Sequence, residues 1–149
     1  MIPVVASQLP NRATPAFALK AVALGWAAAV CLSVGGAAVA ADTSAAEQLQ
    51  RWTAEAKAPG NADKGKVFFA AKHGGEWSCA SCHNAPPTTD GKHATTGKAI
   101  APLAPGFNPK AFTDTAKVDK WFRRNCKDVL SRECTAPEKA DVMGYLLSL

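Results

Sequence analysis

Cys79-Ala80-Ser81-Cys82-His83 sets two thiols three positions apart and follows the second at once with an imidazole. That spacing is the attachment sequence for c-type haem. One short turn lets both sulfurs form thioethers with the vinyl groups on one edge of a porphyrin, while the adjoining imidazole reaches the iron. Cys79 and Cys82 are therefore the expected covalent attachment points, and His83 the expected proximal iron ligand. Two other chemistries use a Cys-x-x-Cys pair. A zinc site wants a second closely spaced ligand pair, and Cys126 and Cys134 lie too far apart for the usual knuckle. A thioredoxin-like site sits at the end of a strand in a βαβ unit, and no alternating or β-branched run flanks this segment.

The chain ahead of the motif opens with a targeting segment. Arg12 and Lys20 form a positive region with no acid before Asp42, an apolar stretch runs from Ala21 to Val39, and Ala38-Val39-Ala40 is a small-x-small cleavage site. Residues 1–40 are expected to leave as a secretory signal peptide, with the mature protein beginning near Ala41. A retained anchor is the competing reading, weakened by an Ala- and Gly-rich stretch that is short for a span of about 20 residues. Export implies a periplasmic protein without stable membrane insertion. It also sorts the five cysteines: Cys31 leaves, Cys79 and Cys82 take haem, and Cys126 and Cys134 remain as a pair in an oxidising compartment, where they are expected to join.

Of 149 residues, 41–149 form one domain with room for a modest core that a covalent haem would help to fill. Seventeen Lys and Arg, less Arg12 and Lys20, face 12 acids, so the mature charge is near +3. That mild balance suits an acidic redox partner and falls short of the basic stripe of a nucleic-acid binder.

Helical spacing of Leu49, Trp52 and Ala56 predicts a helix over 45–56, closed by Pro59-Gly60-Asn61. A second helix is expected from Asp63 to Lys72, breaking at Gly74-Gly75. From Asn84 to Lys110, five prolines and Asp90-Gly91 leave only a long loop, with Ile100, Leu103 and Phe107 as expected anchors. Asp114 or Thr115 caps a helix reaching Asn125, with Val118, Trp121 and Phe122 on one face. Thr135-Ala136-Pro137-Glu138 is a capping box opening a last helix that is expected to bury Val142, Tyr145, Leu146 and Leu149. The chain is all-α with long loops.

Over nearly the whole mature length these residues resemble a class I cytochrome c. Gly65-Lys66-Val67-Phe68-Phe69 looks like that family's N-terminal helix and Asp141-Val142-Met143-Gly144-Tyr145-Leu146 like its last helix, so four to five helices around one haem c are expected. The usual Met ligand is absent: no Met lies between His83 and Val142, and Met143 occupies an apolar helical position. Thr96-Gly97-Lys98, Ala101-Pro102-Leu103-Ala104-Pro105, Phe112-Thr113-Asp114, Lys120-Trp121, Arg124-Asn125-Cys126 and Cys134-Thr135 are similar to a narrower group. This is the high-spin sphaeroides haem protein group, related to cytochrome c''.

In that group the residue before the first cysteine of a disulfide is a labile axial ligand, Asn in one branch and His in the other. The resemblance therefore implies Asn125 as distal ligand and Cys126–Cys134 as the disulfide. Without it, Asn125 reads as a helix C-cap. An amide oxygen is a hard, weak donor that ferric iron tolerates and ferrous iron holds poorly, so reduction would open the sixth position. The implied function is electron uptake with binding of oxygen, nitric oxide or a related diatomic. Implied redox partners are a dihaem cytochrome c and a membrane cytochrome b. A plain electron carrier with a permanent distal ligand is the alternative. A reductase would need a proton donor near the iron, and the sequence places none there. His73 and His93 are expected to face solvent, Trp121 to be buried or to wall the distal side, Lys98, Arg123 and Arg124 to pair with propionates or face solvent, and the carbonyl near Pro102 to accept the His83 Nδ1 proton.

Overall fold

The protein is described from a computed structural model, which covers residues 41–149. The expected leader, its cleavage point at Ala40/Ala41 and Cys31 lie outside the described residues. Helix α1 spans Ala45–Ala56, opened by Ser44, whose hydroxyl accepts from the Glu47 amide, and closed by Lys57 at φ 55°. Helix α2 spans Ala62–Ala70 with Asn61 as its cap. It stops two residues short of the expected Lys72, because Ala71 turns extended and the His73 ring meets the Phe68 carbonyl at 2.9 Å.

Short helix α3 holds Cys79–His83. The loop beyond it contains one device the sequence left unread, a two-residue antiparallel ladder of β1 (Gly91–Lys92) with β2 (Ala99–Ile100). Helix α4 runs Thr115–Leu130 and α5 Ala136–Leu147. No helix among the described residues is long and apolar enough to cross a membrane.

The core gathers where α1 and α2 both pack on α5. Trp52, Phe69, Ala140, Val142, Met143, Tyr145 and Leu146 are buried together, and Met143 has no exposed surface. Gly65 makes the α2–α5 crossing possible: a Cβ there would drive into the Asp141 carbonyl and press on Tyr145. Burial of these side chains stabilises by roughly 1.5–3 kcal/mol each before chain entropy is charged against it.

Four expectations are corrected. Helix α4 does not end at Asn125, because nothing between Cys126 and Leu130 breaks a helix and Val129 extends the buried stripe; Ser131, at φ 59°, is the cap. Trp121 is not a core residue but 49 % exposed, because Phe122 and Val118 hold the inward positions; Lys120 and Arg124 lie over its ring at 5.4 and 5.3 Å. Phe107 is 56 % exposed, and the loop is anchored instead at Ala104, which is fully buried where its amide and that of Leu103 donate to the Pro87 carbonyl. Leu149 lies beyond the last turn and is exposed, its place in the buried set taken by Ala140 and Met143.

Candidate haem-binding site

Helix α3 is five residues long, too short to persist on its local hydrogen bonds alone. Ser78 and Ser81 make it defined. The Ser78 hydroxyl accepts from the Ser81 amide at 3.2 Å, and the Ser81 hydroxyl accepts from the Ser78 amide at 2.9 Å. This reciprocal box, with Ser where Glu or Gln is usual, satisfies two amides at the helix start. It was missed from the sequence, although Ser78-Cys79-Ala80-Ser81 carried the signal.

Within the capped turn, Cys79 and Cys82 stand three apart and Cys79 and His83 four apart, spacings that share one helix face. Neither cysteine is in a disulfide. The turn is held from behind as well: α3 packs on α2 and on β1. Gly91 of β1 is buried so closely that a Cβ would strike the Cys82 carbonyl and the His83 Cα. Asn84 turns the chain away at φ 66°, with its Nδ2 donating to Thr89 Oγ1 at 3.2 Å and to the Asp90 carbonyl at 3.0 Å. Asp90-Gly91 showed in the sequence as a turn; its pressure against the motif did not.

The His83 ring sits 6.4 Å from that of Phe69, which is 5.7 Å from Tyr145. Its Nδ1 is buried without a hydrogen-bond partner. Burial lowers the His83 pKa, favouring the neutral imidazole that ligates iron. The expected acceptor for Nδ1 is corrected here: the Pro102 carbonyl accepts from Asn108 Nδ2 at 2.8 Å. Burial, aided by the neighbouring Cys82, pushes the Cys79 thiol up to about 11. A thiol kept protonated at neutral pH is a poor nucleophile. Among the described residues no cluster of three or more His, Cys, Asp or Glu could hold a metal ion.

Two thiols on one helix face, an imidazole that burial favours in its neutral form, and apolar neighbours are what a thioether-linked haem requires, and these residues fit it. Cys79, Ala80, Leu103, Phe112 and Phe122, each partly buried, pack against the core cluster.

Asn125 stands apart from the motif, within α4 and half-buried, three residues beyond Phe122. Because α4 continues to Leu130, its amide is not used as a C-cap. The next residue, Cys126, is joined to Cys134 by a disulfide with the Cα atoms 5.5 Å apart. That bond ties α4 to the residue before Thr135, the cap of α5. Thr135 and Glu138 form the expected capping box, and Arg132 adds hydrogen bonds of 2.8 and 2.6 Å to the Glu138 carboxylate. His73, His93, Lys98, Arg123 and Arg124 are exposed.

Comparison with known proteins matches residues 55–146 to the family described as a domain of unknown function, DUF1924. The chain is 44 % identical to the cytochrome c-type protein SHP of Cereibacter sphaeroides over 117 residues, 76 % of this chain and 90 % of that protein. It is 47 % identical to cytochrome c'' of Methylophilus methylotrophus over 88 residues, 56 % of this chain and 61 % of that one. In three dimensions it is similar to oxidised SHP, described as an oxygen-binding cytochrome c. That match has a TM-score of 0.68 at 43 % identity, covering 72 % of this chain and 99 % of that one.

Proposed function

The chain belongs to the DUF1924 family and to the group of c-type cytochromes that includes SHP and cytochrome c'', and with its covalently bound haem we propose that it takes up single electrons and binds a diatomic ligand, such as oxygen or nitric oxide, in the ferrous state. Cys79 and Cys82 would hold the porphyrin by thioethers, with His83 as the proximal ligand and Asn125 as the replaceable distal one. The haem supplies one-electron redox chemistry and a sixth coordination position. The capped turn of α3 orients His83, and the Gly91 backbone and Phe69 keep it from turning away. The Asn125 amide oxygen would serve ferric iron and would be held poorly by ferrous iron, because a hard neutral donor loses affinity as the metal softens. Export to the periplasm follows from the leader sequence. A dihaem cytochrome c and a membrane cytochrome b are the partners that the resemblance implies.

The observation that carries this reading is that α4 passes through Asn125 and ends at Leu130, leaving the amide free of capping, in a chain with no Met between His83 and Val142. The test is the ferric absorption spectrum of Asn125→Ala beside the unmodified protein. The variant is expected to lose a coordinated amide and take up water or an added anion. An unchanged ferric spectrum would remove Asn125 from the iron. On a denaturing gel, haem stain should travel with the polypeptide, and pigment extracted by acid acetone would remove the thioethers.

A further inference from the structure

Helix α1 precedes the pair α2 and α5 that crosses at Gly65, and its contacts differ in kind on its two sides. Toward α5 it offers Ala45 and Trp52 to the apolar core. Toward α4 its contacts are directional. Asp42, just ahead of α1, accepts from the Thr115 amide at 2.9 Å, and Gln48 Nε2 reaches Thr115 Oγ1 at 3.4 Å. Arg51 donates to both carboxylate oxygens of Asp119, at 3.2 and 2.5 Å. Trp52 meets Phe122 edge-on at 6.1 Å.

Thr115, Asp119 and Phe122 stand at i, i+4 and i+7, one stripe on α4. The next position on that stripe is Cys126, fixed by the disulfide to Cys134. Asn125 is its chain neighbour, about 60° around the helix from Phe122 at 3.6 residues per turn. The rotation of α4 about its axis, and with it the aim of Asn125, is thus set by α1 along the first two turns and by the disulfide on the third. Apolar packing alone tolerates sliding; a two-pronged guanidinium–carboxylate pair does not.

We propose that Arg51, through Asp119, is a positioning residue for the distal ligand, so that the α1–α4 pair sets how firmly Asn125 holds the ferric iron. This rests on the reading of Asn125 as a ligand, and the test separates the two. The probe is azide, titrated into the ferric holoprotein, where it competes with Asn125 for the sixth position. Arg51→Met should tighten azide binding roughly two- to fivefold, the range expected of a partly exposed ion pair. The Asn125→Ala variant should bind it more tightly still, and in that background Arg51→Met should add nothing. The exchanged pair Arg51→Asp with Asp119→Arg should return toward the unmodified affinity, and raised salt should move the unmodified protein toward Arg51→Met.

Tightening of equal size in the Asn125→Ala background would mean general loosening and overturn the positioning role. An Arg51→Met affinity equal to the unmodified one, with Asn125→Ala tightened, would also overturn it. Azide binding unchanged by Asn125→Ala would instead overturn the ligand reading itself. Should Arg51→Met not accumulate with haem, Asp119→Asn carries the same comparison.

Discussion

At the scale of single residues, small polar side chains govern the site more than the residues that give it its chemistry. Ser78 and Ser81 hold one another's amides at the start of a helix too short to stand otherwise. Ser78→Ala should therefore cost about 1 kcal/mol of holoprotein stability, read from the denaturant midpoint, because the Ser81 amide loses its acceptor. Cys79, Cys82 and His83 were legible because haem attachment leaves little freedom of spacing. The Ser pair was not, since Ser-x-x-Ser is common and gains meaning only when the turn it caps is known. Asn125 shows the opposite limit. Its residue type suits both a helix stop and a weak metal ligand, and the local signal that α4 continues was subtle: no breaker from Cys126 to Leu130, and Val129 four turns along the buried stripe from Thr115.

At the scale of elements, the crossing of α2 on α5 and the turn between α4 and α5 do most to place the site. Gly65→Ala forces a Cβ into a backbone carbonyl that no rotamer change can move. It should destabilise by about 3 kcal/mol, the upper end for overpacking, measured by urea unfolding. The second turn is clamped by charge as well as by sulfur. Hydrogen bonding from Arg132 holds the Glu138 carboxyl at about 2, against an ordinary 4.5. A carboxyl lowered on folding contributes stability that is full above its unfolded pKa and is lost as pH falls through the folded one. The stability difference between the unmodified protein and Glu138→Gln should therefore be constant above about pH 5 and shrink toward zero near pH 2, followed by urea midpoints across that range.

Cys126→Ser should cost roughly 2.5 kcal/mol for so short a loop. It should also alter the ferric spectrum, since Asn125 loses the covalent stop beside it. Helix identities came from capping boxes and apolar spacing, which are local. Ends such as Ala70 and Leu130, set by the His73 ring on the Phe68 carbonyl and by Ser131 at φ 59°, and the two-residue β1–β2 ladder carry no breaker or alternating pattern and were not legible.

At the scale of the whole molecule, the proposed reading joins a three-helix core, a capped haem motif and a long helix carrying Asn125 into a site with one fixed side and one that yields. The fixed side is dense: Phe69, Gly91 and the α3 cap confine His83. On the proposed yielding side the donor is the neutral amide of Asn125, on α4. Asn125→His should reverse the behaviour, because imidazole binds both oxidation states and would compete with any incoming gas. The most direct measurement is the visible spectrum and carbon monoxide binding of the dithionite-reduced, unmodified protein, followed by flow mixing. A labile Asn125 predicts a five-coordinate high-spin ferrous spectrum and a binding rate that rises linearly with carbon monoxide, with no plateau from ligand dissociation. A six-coordinate low-spin ferrous spectrum that excludes carbon monoxide would contradict it and leave a plain electron carrier with a permanent distal ligand.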